Sequence, residues 1–142
     1  MQARTIDNQH IIILEKEEEL IETLTAYCGD QNIQAGIITG IGSTNDAILK
    51  YFNQDTKEYI AKKFSEKNFE IISLAGNVSF IQDKPFTHIH AVLSDENYTT
   101  FSGHLGSAII GVTCEIIITA INDAWHRQYD DESKLNLIKF YN

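Results

Sequence analysis

Only one stretch of this 142-residue chain repeats with a helical period. Between residues 15 and 28, Leu20, Ile21, Leu24 and Cys28 fall on one helical face, with Tyr27 at its edge. Glu17, Glu18 and Glu19 are expected in the first turn, where negative charge favours the helix dipole, and Gly29 is the expected stop. Everything else reads as strand. Residues 11–14 form a β-branched run. Residues 35–41 are short and apolar and are expected to break at Gly40-Ile41-Gly42-Ser43. Residues 47–52 and 58–64 flank a polar turn and predict a hairpin. Residues 69–81 predict a long strand bent at Gly76, and Asp83-Lys84-Pro85 predicts a turn into residues 86–93. Further strands are expected at 99–105 and 111–121, then a short piece at 125–129, with 135–141 as a last strand or an ordered tail.

One helix among many short-linked strands implies an α+β fold: a mostly antiparallel, curled or barrel-like β-sheet with one main helix packed on it. The chain has one proline, eight scattered glycines and no repeat or linker, so residues 1–142 are expected to form a single domain with its core at about 10–130. Several strands are apolar at successive positions, which is the pattern of strands covered on both faces. A single helix cannot cover that much surface, so another subunit is expected to cover the remainder.

Charge narrows the partners. Eleven basic residues against 20 acidic ones give a net charge of -9. Much of the affinity for DNA comes from Lys and Arg displacing counterions from phosphate, so DNA is a disfavoured partner. Lys57, Lys62, Lys63 and Lys67 are the densest basic run, but Glu58 and Glu66 interleave them, and the run reads as a solvated hairpin surface. Cys28 and Cys114 form no CxxC pair and sit among apolar residues, as small buried hydrophobes do. Residues 1–8 lack a signal-peptide core, and no apolar stretch approaches the ~20 residues that span a bilayer. A cytoplasmic protein without a membrane partner is expected.

The chemistry concentrates in three of the five histidines. His88 and His90 are two apart on a strand and therefore share a face. If 86–93 and 99–105 form a hairpin centred on Glu96, His104 falls opposite His88 and diagonal to His90. Three neutral imidazoles converging this way suit zinc with a fourth position open, and nickel, copper or iron accept the same donors. Glu115, alone in an apolar strand, is the carboxylate candidate for orienting a histidine or moving a proton. His10 and His126 lack such company and read as surface or hydrogen-bonding residues. Gly40, Gly42 and Ser43 read as a tight bend that could line a pocket or cradle an anion.

Three segments in order along the chain resemble the PPC (plants and prokaryotes conserved) domain family: Thr39-Gly40-Ile41-Gly42-Ser43, its glycine loop; residues 69–79, its Phe-Glu-Ile to Gly-Asn signature; and His88-Ile89-His90 with Gly103-His104-Leu105 and Thr113-Cys114-Glu115, the histidine pattern of its prokaryotic branch. The resemblance implies an antiparallel sheet with a packed helix, a homotrimer, and a metal site, zinc above all, at His88, His90 and His104. It also carries a DNA-binding and regulatory label. Plant members add an AT-hook, and this chain has no Arg-Gly-Arg-Pro segment. The expected function is a metal-binding homotrimer with a small-ligand pocket. The alternatives are a zinc-dependent, hydrolase-like enzyme using Glu115 as acid and base, and direct DNA binding.

Overall fold

The computed structural model describes residues 1–65 and 67–140. Nine strands and one helix follow in the order β1 (Gln2–Ile6), β2 (Gln9–Glu15), α1 (Leu20–Asp30), β3 (Gly36–Asn53), β4 (Glu58–Phe64), β5 (Phe69–Ile81), β6 (Lys84–Ser94), β7 (Thr100–Ala120), β8 (His126–Asp130) and β9 (Leu135–Ile138). All nine belong to one sheet. Strand β7 pairs with β2, β3 and β6, β3 pairs with β5, and β5 pairs with β6. Strands β3, β5, β6 and β7 thus form a partial ring. The pairing is antiparallel apart from a two-residue parallel contact between β5 and β8. Helix α1 packs over β6 and β7, as expected of a mostly antiparallel sheet with one covering helix. Among the described residues no helix is long and apolar enough to cross a membrane.

Alternation along the strands builds the interior. Ile12 and Leu14 of β2, Ile38 of β3, Leu74 and Val78 of β5, Ile89 and Leu93 of β6, and Ile110, Ile116 and Ile118 of β7 are buried against Leu20 and Leu24 of the helix. Each such side chain contributes about 1.5–3 kcal/mol when fully removed from water. The opposite face is not covered by this chain: Ile37, Ile41, Ile72, Val112 and Ile117 are all exposed there.

The helix begins later than its periodicity suggests. Glu19 is the N-cap, its carboxylate accepting from Glu22 N at 2.6 Å. Glu17 and Glu18 lie before it: Glu17 N donates to Ile110 O, Ile110 N donates to Glu18 O, and Glu18 accepts from the N-terminal amine at 2.7 Å. These acidic residues tie the incoming chain to β7 and leave the helix dipole to Glu22. The stop is not Gly29. Asn32 takes the left-handed conformation (φ 52), while Asn32 N and Ile33 N return to Gly29 O and Cys28 O, a Schellman closure.

Two expected breaks are absent. Strand β3 runs through Gly40-Ile41-Gly42-Ser43, and β7 runs through residues 106–110. Both stay paired across bulges, at Gly40/Gly42, Gly42/Thr44, Thr44/Asp46 and Ile48/Leu49. A Cβ at Gly42 would stand 2.6 Å from Cys114 Cα and from Thr113 O. Glycine there permits close approach of β3 to β7 rather than a bend. Gly76 also lies in straight ladder, opposite Ile89. The irregularity in β5 sits between Ile71 and Ser73 instead. The turn into β6 consists of Gln82 and Asp83, both left-handed (φ 49 and 60), so Lys84 and Pro85 already belong to the strand. The expected hairpin over 47–64 is present with Ala47 opposite Phe64. Its lysines are partly neutralised: Lys63 pairs with Asp46 at 2.8 Å and Lys67 with Glu96 at 3.5 Å. Glu66 of that run, and Tyr141 of the expected last strand, lie outside the described residues.

Candidate metal centre

Strand β6 alternates Thr87 and Ile89, which are buried, with His88 and His90, which project to the other face. Strand β7 brings His104 to the same place. The register differs from the sequence expectation by two residues: His90, not His88, stands opposite His104. The cause is the hairpin turn, which centres on Asn97. Asp95 N donates to Thr99 O, and the Asp95 carboxylate accepts from Asn97 N and Thr99 N at 2.9 and 3.0 Å. A slip of two preserves the side-chain face, whereas a slip of one would have sent His104 to the other side.

The three imidazoles therefore still converge. Ring centroids are 5.2 Å apart for His88 and His90, 5.0 Å for His88 and His104, and 5.6 Å for His90 and His104. Their candidate donor atoms all lie within 4.8 Å of one another, close enough for one ion to be shared by all three rings. His104 Nδ1 is buried without a hydrogen-bond partner, and an ion bound at that nitrogen would satisfy it. Burial holds the His88 imidazole down at about 4, with Arg127, His104 and His90 adding to the effect. Burial also lowers His104, assisted by His90, Lys50 and Arg127. These two rings stay neutral at physiological pH, which is the form that coordinates metal. The residues fit a divalent transition metal.

Close packing of β5 against β6 fixes the site from behind. Gly76 faces the His88 carbonyl so closely that no Cβ would fit between the strands. In front lies a cavity of about 400 Å³ that includes His88, His104, Tyr59, Phe86 and Arg127 in its walls. The Tyr59 ring is 5.5 Å from that of His104. Arg127 reaches in from β8, placing a terminal nitrogen 3.2 Å from His88 Nδ1 and 3.0 Å from Asn77 Oδ1. Sequence reasoning missed Tyr59, Asn77 and Arg127. The available signal was that the chain has only two arginines, Arg4 and Arg127, one of them inside a short strand.

The other expected site residues are not brought here. Glu115 lies on the same strand as His104 but far along it, opposite Ile13 and Ile41, with its side chain exposed. A β-strand advances ~3.3 Å per residue, so its carboxylate reaches neither the histidines nor their cavity. Gly40, Gly42 and Ser43 are also remote. The glycines have no positive φ, the segment is strand-paired, and Ser43 Oγ accepts from Val112 N at 3.0 Å, so it forms no anion cradle. With Ile41, Ile72 and Glu115 it borders a shallow depression on the exposed apolar face. His10 is buried and hydrogen-bonded, its Nδ1 3.0 Å from Tyr27 Oη, and His126 is exposed. Both cysteines are free and buried, their thiols pushed up to about 12 by burial.

A sequence model of the Plants and Prokaryotes Conserved domain, abbreviated PCC or PPC, matches residues 1–122. The chain belongs to the PCC domain family. Solved PCC-like structures share the fold closely. A Bacteroides thetaiotaomicron protein, provisionally designated DNA-binding, is 31% identical with a TM-score of 0.94, over 98% of this chain and 96% of that one. A metal-containing protein from Archaeoglobus fulgidus is 29% identical with a TM-score of 0.86, over 96% of each chain. A PPC protein from Pyrococcus horikoshii is 26% identical with a TM-score of 0.85, over 99% and 95%. No curated protein matches the PCC chain described here.

Proposed function

We propose that this PCC domain protein binds one transition-metal ion, zinc above all, at His88, His90 and His104, and presents the ion's remaining coordination position to a small-ligand pocket. The observation that carries this reading is the convergence of three imidazoles, with donor atoms within 4.8 Å, beside a cavity of about 400 Å³. A cavity of this size falls within the range of small-molecule sites. The metal-containing relative from Archaeoglobus fulgidus supports it. Among the described residues no carboxylate lines the cavity, which leaves the fourth position to water or a ligand. A hydrolase using Glu115 lacks support from the geometry. The two free thiols suit a reducing, cytoplasmic setting.

The assembly that accompanies this reading is a homotrimer within which residues 1–142 act as one domain. The exposed Ile37, Ile41, Ile72, Val112 and Ile117 support burial of that sheet face by other copies. Direct DNA binding, the designation carried by some relatives, is disfavoured by the net charge of -9 and by the pairing of Lys63 and Lys67 with carboxylates.

Elemental analysis of protein purified without an affinity tag tests the metal. About one transition-metal ion per chain is expected. A content near zero that stays there after incubation with zinc, cobalt or nickel salts overturns the reading.

A further inference from the structure

We infer that the β8–β9 hairpin makes the histidine site a pocket for a short organic carboxylate, with Arg127 as its anion anchor. This rests on the reading of His88, His90 and His104 as a metal site.

Arg127 is held in place by neutral partners. Its Nε donates to Ser79 Oγ at 2.8 Å, one terminal nitrogen donates to the Asn136 carbonyl at 2.9 Å, and the other reaches Asn77 Oδ1 and His88 Nδ1. Its guanidinium carbon stands 5.2 Å from the Phe86 ring centre. Among the described residues none of the ion pairs involves Arg127. A half-buried guanidinium without a counter-charge is costly, and its planar fork suits a carboxylate or a phosphate.

Metal binding would make that unmet demand larger. Arginine only donates, so the 3.2 Å contact requires a lone pair on His88 Nδ1. A neutral imidazole has one such lone pair. A metal at Nδ1 would take it directly. A metal at Nε2 would require the proton on Nδ1, turning the contact into donor against donor. On either route Arg127 loses its His88 acceptor beside a newly arrived divalent charge. Lys134 also lines the cavity, with its ammonium 3.8 Å from Asp131, and among the described residues no Asp or Glu lines it. In a chain of net charge -9, Arg127 beside the bound ion would be a local excess of positive charge, and it favours an anion.

The walls specify what the anion carries. Ile81, Phe86, Leu135 and Leu137 are apolar and would be wasted on inorganic phosphate. A few-carbon acid places its tail against them and its carboxylate on Arg127. A second oxygen next to that carboxylate reaches the metal. Arg127, Lys134, Leu135 and Leu137 all come from residues 126–138, beyond the segment 1–122 that the family model matches. The anion preference is therefore carried by the hairpin, while the histidines lie within the segment the family model matches.

The test is a titration of the cobalt-loaded protein followed by the visible absorption of the metal. The probes are 2-hydroxyisobutyrate, its neutral amide and inorganic phosphate. The acid is expected to shift the spectrum saturably and to bind at least about tenfold more tightly than the amide or phosphate, the scale of a lost charge-assisted hydrogen bond. Arg127→Gln is expected to load cobalt normally and to lose about that factor for the acid but not for the amide. Equal binding of acid and amide on the unmutated protein overturns the inference, whatever Arg127→Gln does to folding. Phosphate binding as tight as the acid also overturns it and indicates an inorganic anion site. Cobalt uptake with no response to the acid sinks this inference alone, and failure to take up cobalt sinks the metal reading with it.

Discussion

His90 faces His104 directly across the β6–β7 ladder, their ring centroids 5.6 Å apart, and His104 keeps one buried ring nitrogen without a partner. The arrangement sacrifices some stability in the metal-free chain, because an orphaned buried polar atom costs about 1–3 kcal/mol. Replacing His104 by leucine is expected to raise the stability of the metal-free protein by about 1 kcal/mol while abolishing metal uptake. Urea unfolding and elemental analysis of the same preparations check both halves. His88→Ala and His104→Ala are expected to keep the far-ultraviolet circular dichroism of the parent, since neither ring belongs to the hydrophobic core. Loss of folding in both would mark the metal as structural.

Gly76 and Gly42 separate the site from the scaffold. At Gly76 an added Cβ meets the His88 carbonyl, and at Gly42 it meets the Cys114 backbone. Overpacking of this kind costs typically about 1–3 kcal/mol, so both alanine variants should unfold at lower urea. Only Gly76→Ala displaces the strand that carries His88, so it alone is expected to weaken zinc binding in a competition titration against a chelating dye. Equal zinc affinity in the two variants would refute the backing role of β5.

Acid should destabilise the metal-free protein through its buried imidazoles. Burial holds His10 and His104 below their ordinary value of 6.5 and His88 at about 4. Below pH 6.5 the unfolded chain takes up protons that the folded rings refuse. The stability held by neutral histidine is therefore present above that pH and lost as pH falls toward 4, by at most ~1.4 kcal/mol per pH unit for each ring. Urea midpoints measured from pH 7 to 4.5 should fall accordingly. His10→Gln, which lies away from the three proposed ligands, should flatten the slope, and an unchanged slope would remove His10 from the account.

The uncovered sheet face predicts the assembly. Ile41 and Val112 are 56% and 74% exposed, so charging them should leave the interior intact. Sedimentation equilibrium is expected to give three times the 16.1 kDa chain mass for the parent and the single-chain mass for Ile41→Asp combined with Val112→Asp. A monomeric parent would refute the trimer.

The strand set and the histidine convergence were legible because both depend on period and parity. His88 and His90 share a face wherever the hairpin turns, and a one-residue error in the turn centre, which shifts the register by two, left His104 on that face. The position of the turn was not legible, since it depends on how Asp95 caps Asn97 and Thr99. The glycine segment misled for a similar reason. Gly40 and Gly42 look like a loop in one dimension, whereas the need for glycine comes from Glu115, Thr113 and Cys114, more than seventy positions away. Glu115 looked catalytic as a lone charge in an apolar run, but its exposed neighbours Ile41 and Ile117 show that the run's outer face is unburied in this chain. Arg127 carried only the weak signal of being one of two arginines, because its meaning arises from a two-residue parallel contact that places Ile81 beside it.

That same slender attachment separates what can vary from what cannot. The β8–β9 hairpin meets the ring of strands through Phe80 and Ile81 alone in the sheet, with Phe80 N also bonded to Trp125 O. Grafting a hairpin of different sequence at this point would recast the chemistry above the histidines while leaving the core register untouched.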